Sequence, residues 1–144
     1  MGYAIAKNLG IACVSRRRVS HGDAVMFDID ETLIHRDGTP IHEMCALFNF
    51  CKHLGYRMIL ITARPDFAVT HHYTQMQLIN HNIIPNEVYF VPPEEKSATK
   101  QQTGLHYVLS VGDLYTDLGN SEYFIKLPDD HDRRIYSNIE TRFL

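Results

Sequence analysis

Cysteine is scarce in this chain: three residues in 144, at positions 13, 45 and 51. The count is odd and no two stand in CxxC spacing, which argues against a disulfide framework or a zinc site and predicts buried, reduced thiols. An excess of one charge is lacking too, because 14 Lys and Arg against 17 Asp and Glu leave a formal net charge of −3. That balance offers no broad basic surface for nucleic acid and no acidic tail pointing to disorder. The one basic run, Arg16-Arg17-Arg18, reads as solvated chain ahead of the core. No apolar run reaches membrane-spanning length, so no membrane partner is expected. The first 14 residues are mildly apolar, but Lys7 and Asn8 interrupt them and make a poor signal peptide. Ala6 stands where a myristoylation start wants Ser or Thr. These absences together predict a cytoplasmic location. Internal repeats and low-complexity segments are missing as well.

Hydrophobic residues make up 44% of the chain, enough for one domain with a real core and too little for two. Short apolar runs alternate with helical patterns. Residues 24–27, 58–61, 88–91, 107–111 and 123–125 read as strands. Ile41, Met44, Cys45, Phe48 and Cys51 fall on one helical face, and Gly55 is placed to end that helix. Residues 66–80 give a second helix, and 94–102 a short one stopped by Gly104. Strands alternating with helices predict an α/β fold with a central parallel sheet and helices on both faces. The domain limits expected are an N-terminal extension over 1–23, a core over 24–128 and a tail over 129–144 packing on that core.

In open α/β sheets, ligands bind beyond the carboxyl ends of the strands. The residues there carry chemistry. Asp28 and Asp30 follow the first strand, Thr62, Ala63 and Arg64 the second, and Asp113 the fourth, with Asp117 four residues on. Lys96 opens the helix after the third. Carboxylates about 4 Å apart repel by roughly 4 kcal/mol at an effective dielectric near 20. Gathering Asp28, Asp30 and Asp113 therefore calls for a hard divalent cation, and Mg²⁺ is the natural occupant. A carboxylate can attack phosphorus, while a second acid protonates the leaving oxygen and then activates water. Thr62, Lys96 and backbone N–H groups are the donors expected to hold the phosphoryl oxygens, with Ala63 beside Thr62. Singly these residues have plainer readings. Asp-x-Asp is often a self-solvating loop, Thr62 could cap a helix, and Lys96 could face solvent. Four such coincidences at one sheet edge favour the chemical reading.

At this point the chain resembles the haloacid dehalogenase superfamily of phosphatases. Phe27-Asp28-Ile29-Asp30-Glu31-Thr32-Leu33 is similar to its first motif, and Ile59-Leu60-Ile61-Thr62-Ala63-Arg64 to its second. Lys96-Ser97 is similar to the third, and Val111-Gly112-Asp113-Leu114-Tyr115-Thr116-Asp117 to the fourth. Within the superfamily these motifs, with the late Lys126-Leu127-Pro128, are most similar to the acid-phosphatase-like subfamily. The resemblance implies a three-layer Rossmann-like fold with sheet order 5-4-1-2-3. It implies Asp28 as nucleophile and Mg²⁺ ligand, and Asp30 as acid/base that also binds Mg²⁺ through its backbone carbonyl. It further implies Asp113 as a Mg²⁺ ligand, Thr62 and Lys96 on the phosphoryl group, and Asp117 supporting the metal or the lysine.

Only residues 34–40 separate the first motif from the next helix, and one helix and one strand fill 65–93, so no cap domain is expected. An open site suits a phosphoprotein or a nucleic-acid end. A small phosphoester fits if a neighbouring subunit of an oligomer, or the 34–40 segment, covers the site. His35, Arg36 and Arg64 are placed to touch substrate, and equally to be plain surface residues. The remaining histidines have no metal-ligand spacing, and Asp129, Asp130 and Asp132 read as a solvated cluster. Two rivals stand. A phosphoacceptor receiver-like domain would need an acid after the third strand, where Pro92-Pro93 stands, and a late lysine such as Lys126. A non-catalytic phosphate-binding module of the same fold is disfavoured by intact Asp28 and Asp30.

Overall fold

The computed structural model describes residues 2–140. Helix α1 (Gly2–Ser15) precedes strand β1 (Asp23–Phe27). Then follow α2 (His42–Leu54), β2 (Arg57–Thr62), α3 (Ala68–Asn80), β3 (Glu87–Phe90), α4 (Lys96–Thr103), β4 (His106–Gly112), β5 (Tyr123–Lys126) and β6 (Tyr136–Ser137). Two 3₁₀ turns, Pro93–Glu95 and Tyr115–Asp117, lead into α4 and out of β4. The architecture is α/β, a mixed and mostly parallel sheet with helices, compatible with a Rossmann-like fold.

The sheet order is β3-β2-β1-β4-β5-β6. Strands β1 to β5 pair in parallel, and β6 runs antiparallel to β5. The expected order, 5-4-1-2-3, therefore differs from the observed one: a sixth strand lies outside β5. The cause is a turn in the tail. One Asp129 carboxylate oxygen accepts the N–H groups of His131 and Asp132, both at 2.7 Å, and the other accepts Lys126 Nζ at 2.9 Å. The chain reverses there and sets Tyr136 beside Lys126. An antiparallel return needs no crossover helix, and it covers part of an edge that would otherwise stand unpaired.

Side chains alternate across the pleat and sort the core into two clusters. Val25 and Phe27 of β1, with Met58 and Leu60 of β2, join residues of α1, α2 and α3 in the larger one. Ala24, Met26, Ile59, Ile61 and Tyr107 form the smaller one on the other face. There α4 approaches with polar side chains: Thr103 Oγ1 and Tyr107 Oη lie 2.9 Å apart, and Lys100 Nζ sits 6.0 Å from the Tyr107 ring centroid. Gly55 and Gly104 end α2 and α4 at φ values of 102° and 69°, the left-handed caps that glycine adopts most readily. The three cysteines are free and buried, and burial pushes the Cys13 thiol up to about 12. Among the described residues, no helix is long and apolar enough to cross a membrane.

Candidate functional site

Leaving β1, the chain runs through β2 and β3 on one side and then crosses back to β4 on the other. The carboxyl ends of β1 and β4 therefore flank a topological switch point, where an open sheet leaves a crevice. Asp28 follows β1 with its N–H still bonded to Val111 O at 3.0 Å, so the sheet register fixes its position. Asp113 follows β4. Asp117 closes the next 3₁₀ turn, and one of its oxygens accepts the Leu114 N–H at 3.1 Å. One carboxylate oxygen from each of Asp28, Asp113 and Asp117 lies within 4.8 Å of the others.

Lys96 braces this group. It is 2% exposed, and its ammonium donates to Asp28 Oδ1 at 3.0 Å and to Asp117 Oδ1 at 2.6 Å. Burial alone would lower the Lys96 pKa, but its two carboxylate partners outweigh that and hold it above the ordinary value. Asp28 moves the other way. Burial first, then the Asp117 charge, push its carboxyl well above the ordinary range, against the pull of Lys96. Burial likewise raises Asp113 to about 6, with a hydrogen bond to Asp28 holding it lower than burial alone would.

With every group ionised, one ammonium leaves two of the three negative charges uncompensated. Two carboxylates 4.8 Å apart repel by about 3 kcal/mol at an effective dielectric near 20. Protons or a cation must meet that charge. The donor set is all oxygen, which fits a hard divalent ion and does not fit a thiolate-seeking one.

A second group stands beside the first. Arg64 clamps Asp30 in a bidentate pair, Nε to Oδ2 at 3.0 Å and Nη2 to Oδ1 at 2.8 Å. Its Nη1 reaches Thr74 Oγ1 at 3.0 Å, and its backbone N–H donates to Thr62 Oγ1 at 3.1 Å. Thr62 is buried and Ala63 is exposed. Asp28, Asp113, Asp117 and Lys96 thus converge, while the Asp30 carboxylate belongs to the Arg64 group and is not one of the three clustered acids. Glu31, directly after Asp30, takes φ +57°, a left-handed conformation costly for a side chain, and its carboxylate accepts the Arg36 N–H at 2.6 Å.

Lys100 was not legible as part of the site. It is 1% exposed, and its Nζ donates to Ser110 Oγ at 2.9 Å, Asp117 O at 2.6 Å and Gly119 O at 2.7 Å. Burial pushes Lys100 down to about 7, yet three acceptors match the three N–H bonds of the charged form. The signal was the spacing. Lys96 and Lys100 stand four apart and share one face of α4.

The other candidates are surface features. Arg36 pairs with Asp130 at 2.7 Å, Arg17 with Glu122 at 2.6 Å, and Arg134 with Asp132 at 3.1 Å. His35 packs edge-on to Tyr3, and His106 bridges Asp23 and Glu122 at the far end of β4. A cavity of about 580 Å³ between α3 and β3 is lined mainly by apolar side chains and reaches none of the clustered acids. No family model and no curated protein matches the chain.

Proposed function

We propose that this chain is a phosphomonoester hydrolase of the haloacid dehalogenase type, acting through an aspartyl-phosphate on Asp28. The observation that carries this reading is the cluster of Asp28, Asp113 and Asp117 around a buried Lys96, set at the switch point of a mostly parallel sheet. The carboxylates of Asp28 and Asp113 and the Asp30 carbonyl would hold Mg²⁺, which would supply the positive charge that keeps Asp28 ionised and offsets the phosphoryl oxygens. Lys96 holds Asp28 Oδ1, leaving Oδ2 to attack phosphorus. The new P–O bond forms as the bond to the leaving oxygen breaks, and that oxygen takes a proton from Asp30. Asp30 then takes a proton from water, whose oxygen attacks phosphorus and frees both phosphate and Asp28. Thr62 and Lys96 donate to the phosphoryl oxygens during both steps. The segment after β1 is only a small hairpin, with His35 N bonded to Thr39 O at 2.8 Å, and α3 is the only helix between β2 and β3. We therefore read the site as capless and open.

The Arg64 clamp favours one second reading. Both Asp30 carboxylate oxygens accept from the guanidinium, so neither is presented to a leaving oxygen, which suits a phosphate-binding module without turnover. Hydrolysis of a generic aryl phosphate with Mg²⁺ separates the two. We expect repeated turnover, and a fall of roughly a thousandfold or more in kcat for Asp28→Asn. Equal turnover by that variant would remove Asp28 from the reaction, and binding of phosphate with no turnover would support the module.

A further inference from the structure

Exposed apolar side chains are not spread evenly over this molecule. Ten large ones stand exposed among the described residues, and six of them, Phe67, Val69, Tyr73, Met76, Ile79 and Ile84, lie on α3 or in the chain at its two ends. Val69, Tyr73 and Met76 follow the i, i+4, i+7 spacing of one helix face. That face points away from the core, since the buried residues of α3, Thr74 and Leu78, lie on the other side. The helix therefore carries an apolar stripe on the side that faces water. We infer that this outer face of α3 is where two copies of the chain pair, antiparallel about a two-fold axis that passes between Tyr73 and Met76.

Three observations choose a second copy over another occupant. The first is symmetry. A two-fold contact is isologous, so residue i meets residue j and j meets i. In an antiparallel pair centred between Tyr73 and Met76, Tyr73 meets the partner's Met76, Val69 meets the partner's Ile79, and Phe67 lies towards the partner's Ile84. Each exposed apolar residue of the patch then faces another, and a thioether sits on an aromatic ring, which is a favourable contact. The second is charge. Of the 13 residues of α3, none is Lys, Arg, Asp or Glu. A face without fixed charge meets its own copy without like-charge repulsion. It offers nothing for an acidic or basic peptide to pair with, and it lacks the Lys and Arg that hold a helix on a lipid surface. The third is area. The six side chains expose roughly 600–700 Å² on each copy, close to the ~800 Å² per partner of a standard interface, and exposed His72 and Asn80 add a polar rim.

The pairing is independent of the reaction on Asp28, and its test reads mass rather than turnover. Sedimentation velocity follows the full chain from about 1 to 300 µM; interfaces of this size hold with a Kd of about micromolar or below, so a species of twice the chain's mass is expected within that range. Met76→Glu sets an acid into the contact twice, at a side chain 45% exposed in the single chain, where the fold does not depend on it. We expect Kd to rise about a hundredfold or more, with an unchanged far-ultraviolet circular dichroism spectrum. Tyr73→Lys should dissociate the dimer in the same way. Mixing the two variants sets a lysine of one chain against a glutamate of the other, and should restore a dimer with one chain of each. A chain that stays monomeric at the highest concentration, a dimer that Met76→Glu leaves intact, or a mixture of the two variants that fails to pair overturns the inference.

Discussion

Asp113 is the residue whose ionisation is easiest to follow. Its folded-state pKa of about 6 lies above the ordinary 3.8, because burial disfavours the charged form. Without metal, its protonation therefore favours the folded chain fully below about pH 4, and that contribution is lost as pH rises through about 6. Asp28, raised in the same direction, adds to the same slope. A divalent ion competes with these protons and gains as they leave. Thermal melts should then show Mg²⁺ raising Tm by roughly 5–10 °C at pH 7.5 with metal 100-fold above its Kd, and little at pH 5. Asp113→Asn should flatten that difference, and an equal Mg²⁺ shift at both pH values would contradict it. Gly112 is a second informative residue. A Cβ there would lie 2.2 Å from Asp117 Oδ2, so Gly112→Ala must displace the acid that holds Lys96. We expect kcat for an aryl phosphate to fall at least tenfold, with a loss of stability of about 1–3 kcal/mol. A variant with wild-type kcat would show that the Asp117–Lys96 pair is not needed for turnover.

Among the elements, α4 departs most from its sequence impression. Its composition, Lys-Ser-Ala-Thr-Lys-Gln-Gln-Thr, reads as a solvated helix, yet Lys96, Thr99 and Lys100 are its buried residues. The ammonium groups find fixed oxygen acceptors, which is what lets lysine go below the surface. Lys100 ties the backbone of Asp117 and Gly119 to Ser110 on β4, and so fixes the turn that delivers Asp117. Lys100→Met keeps the stem and removes the donors. It should lower stability by about 2–4 kcal/mol in urea unfolding, and a change below about 0.5 kcal/mol would show that the three bonds do not hold the turn. Helix α1 was illegible for a different reason. Ala6, Leu9, Gly10, Cys13 and Val14 are buried at helical spacing, but the stripe uses small residues, and glycine costs about 1 kcal/mol in a helix. Gly10 is there because α1 approaches α2 closely: a Cβ would lie 2.5 Å from Leu47 Cδ2. The continuous strands β1, β2 and β4, and the glycine caps at 55 and 104, were legible because burial on both faces and left-handed caps leave local marks in sequence. Two-residue β6 leaves none, since its pairing depends on the Asp129 turn.

For the whole molecule, topology does what no single motif can. Residue 28, residue 96 and the 113–117 turn are far apart in sequence, and the crossovers from β1 to β4 bring them to one crevice. The convergence of Asp28, Asp113 and Lys96 was legible from strand-end positions. The separate orientation of Asp30 was not, because the Arg64 clamp depends on where α3 and Thr74 pack. The central claim is that Asp28 carries the phosphoryl group between substrate and water, and a quench experiment tests it most directly. The protein is mixed with an activated aryl phosphate and Mg²⁺, stopped with acid, and its peptides are analysed for a hydroxylamine-labile phosphate. The account predicts that phosphate on the peptide containing Asp28, and none in Asp28→Asn. Turnover with no phosphate on that peptide, or with phosphate on another residue, would contradict it.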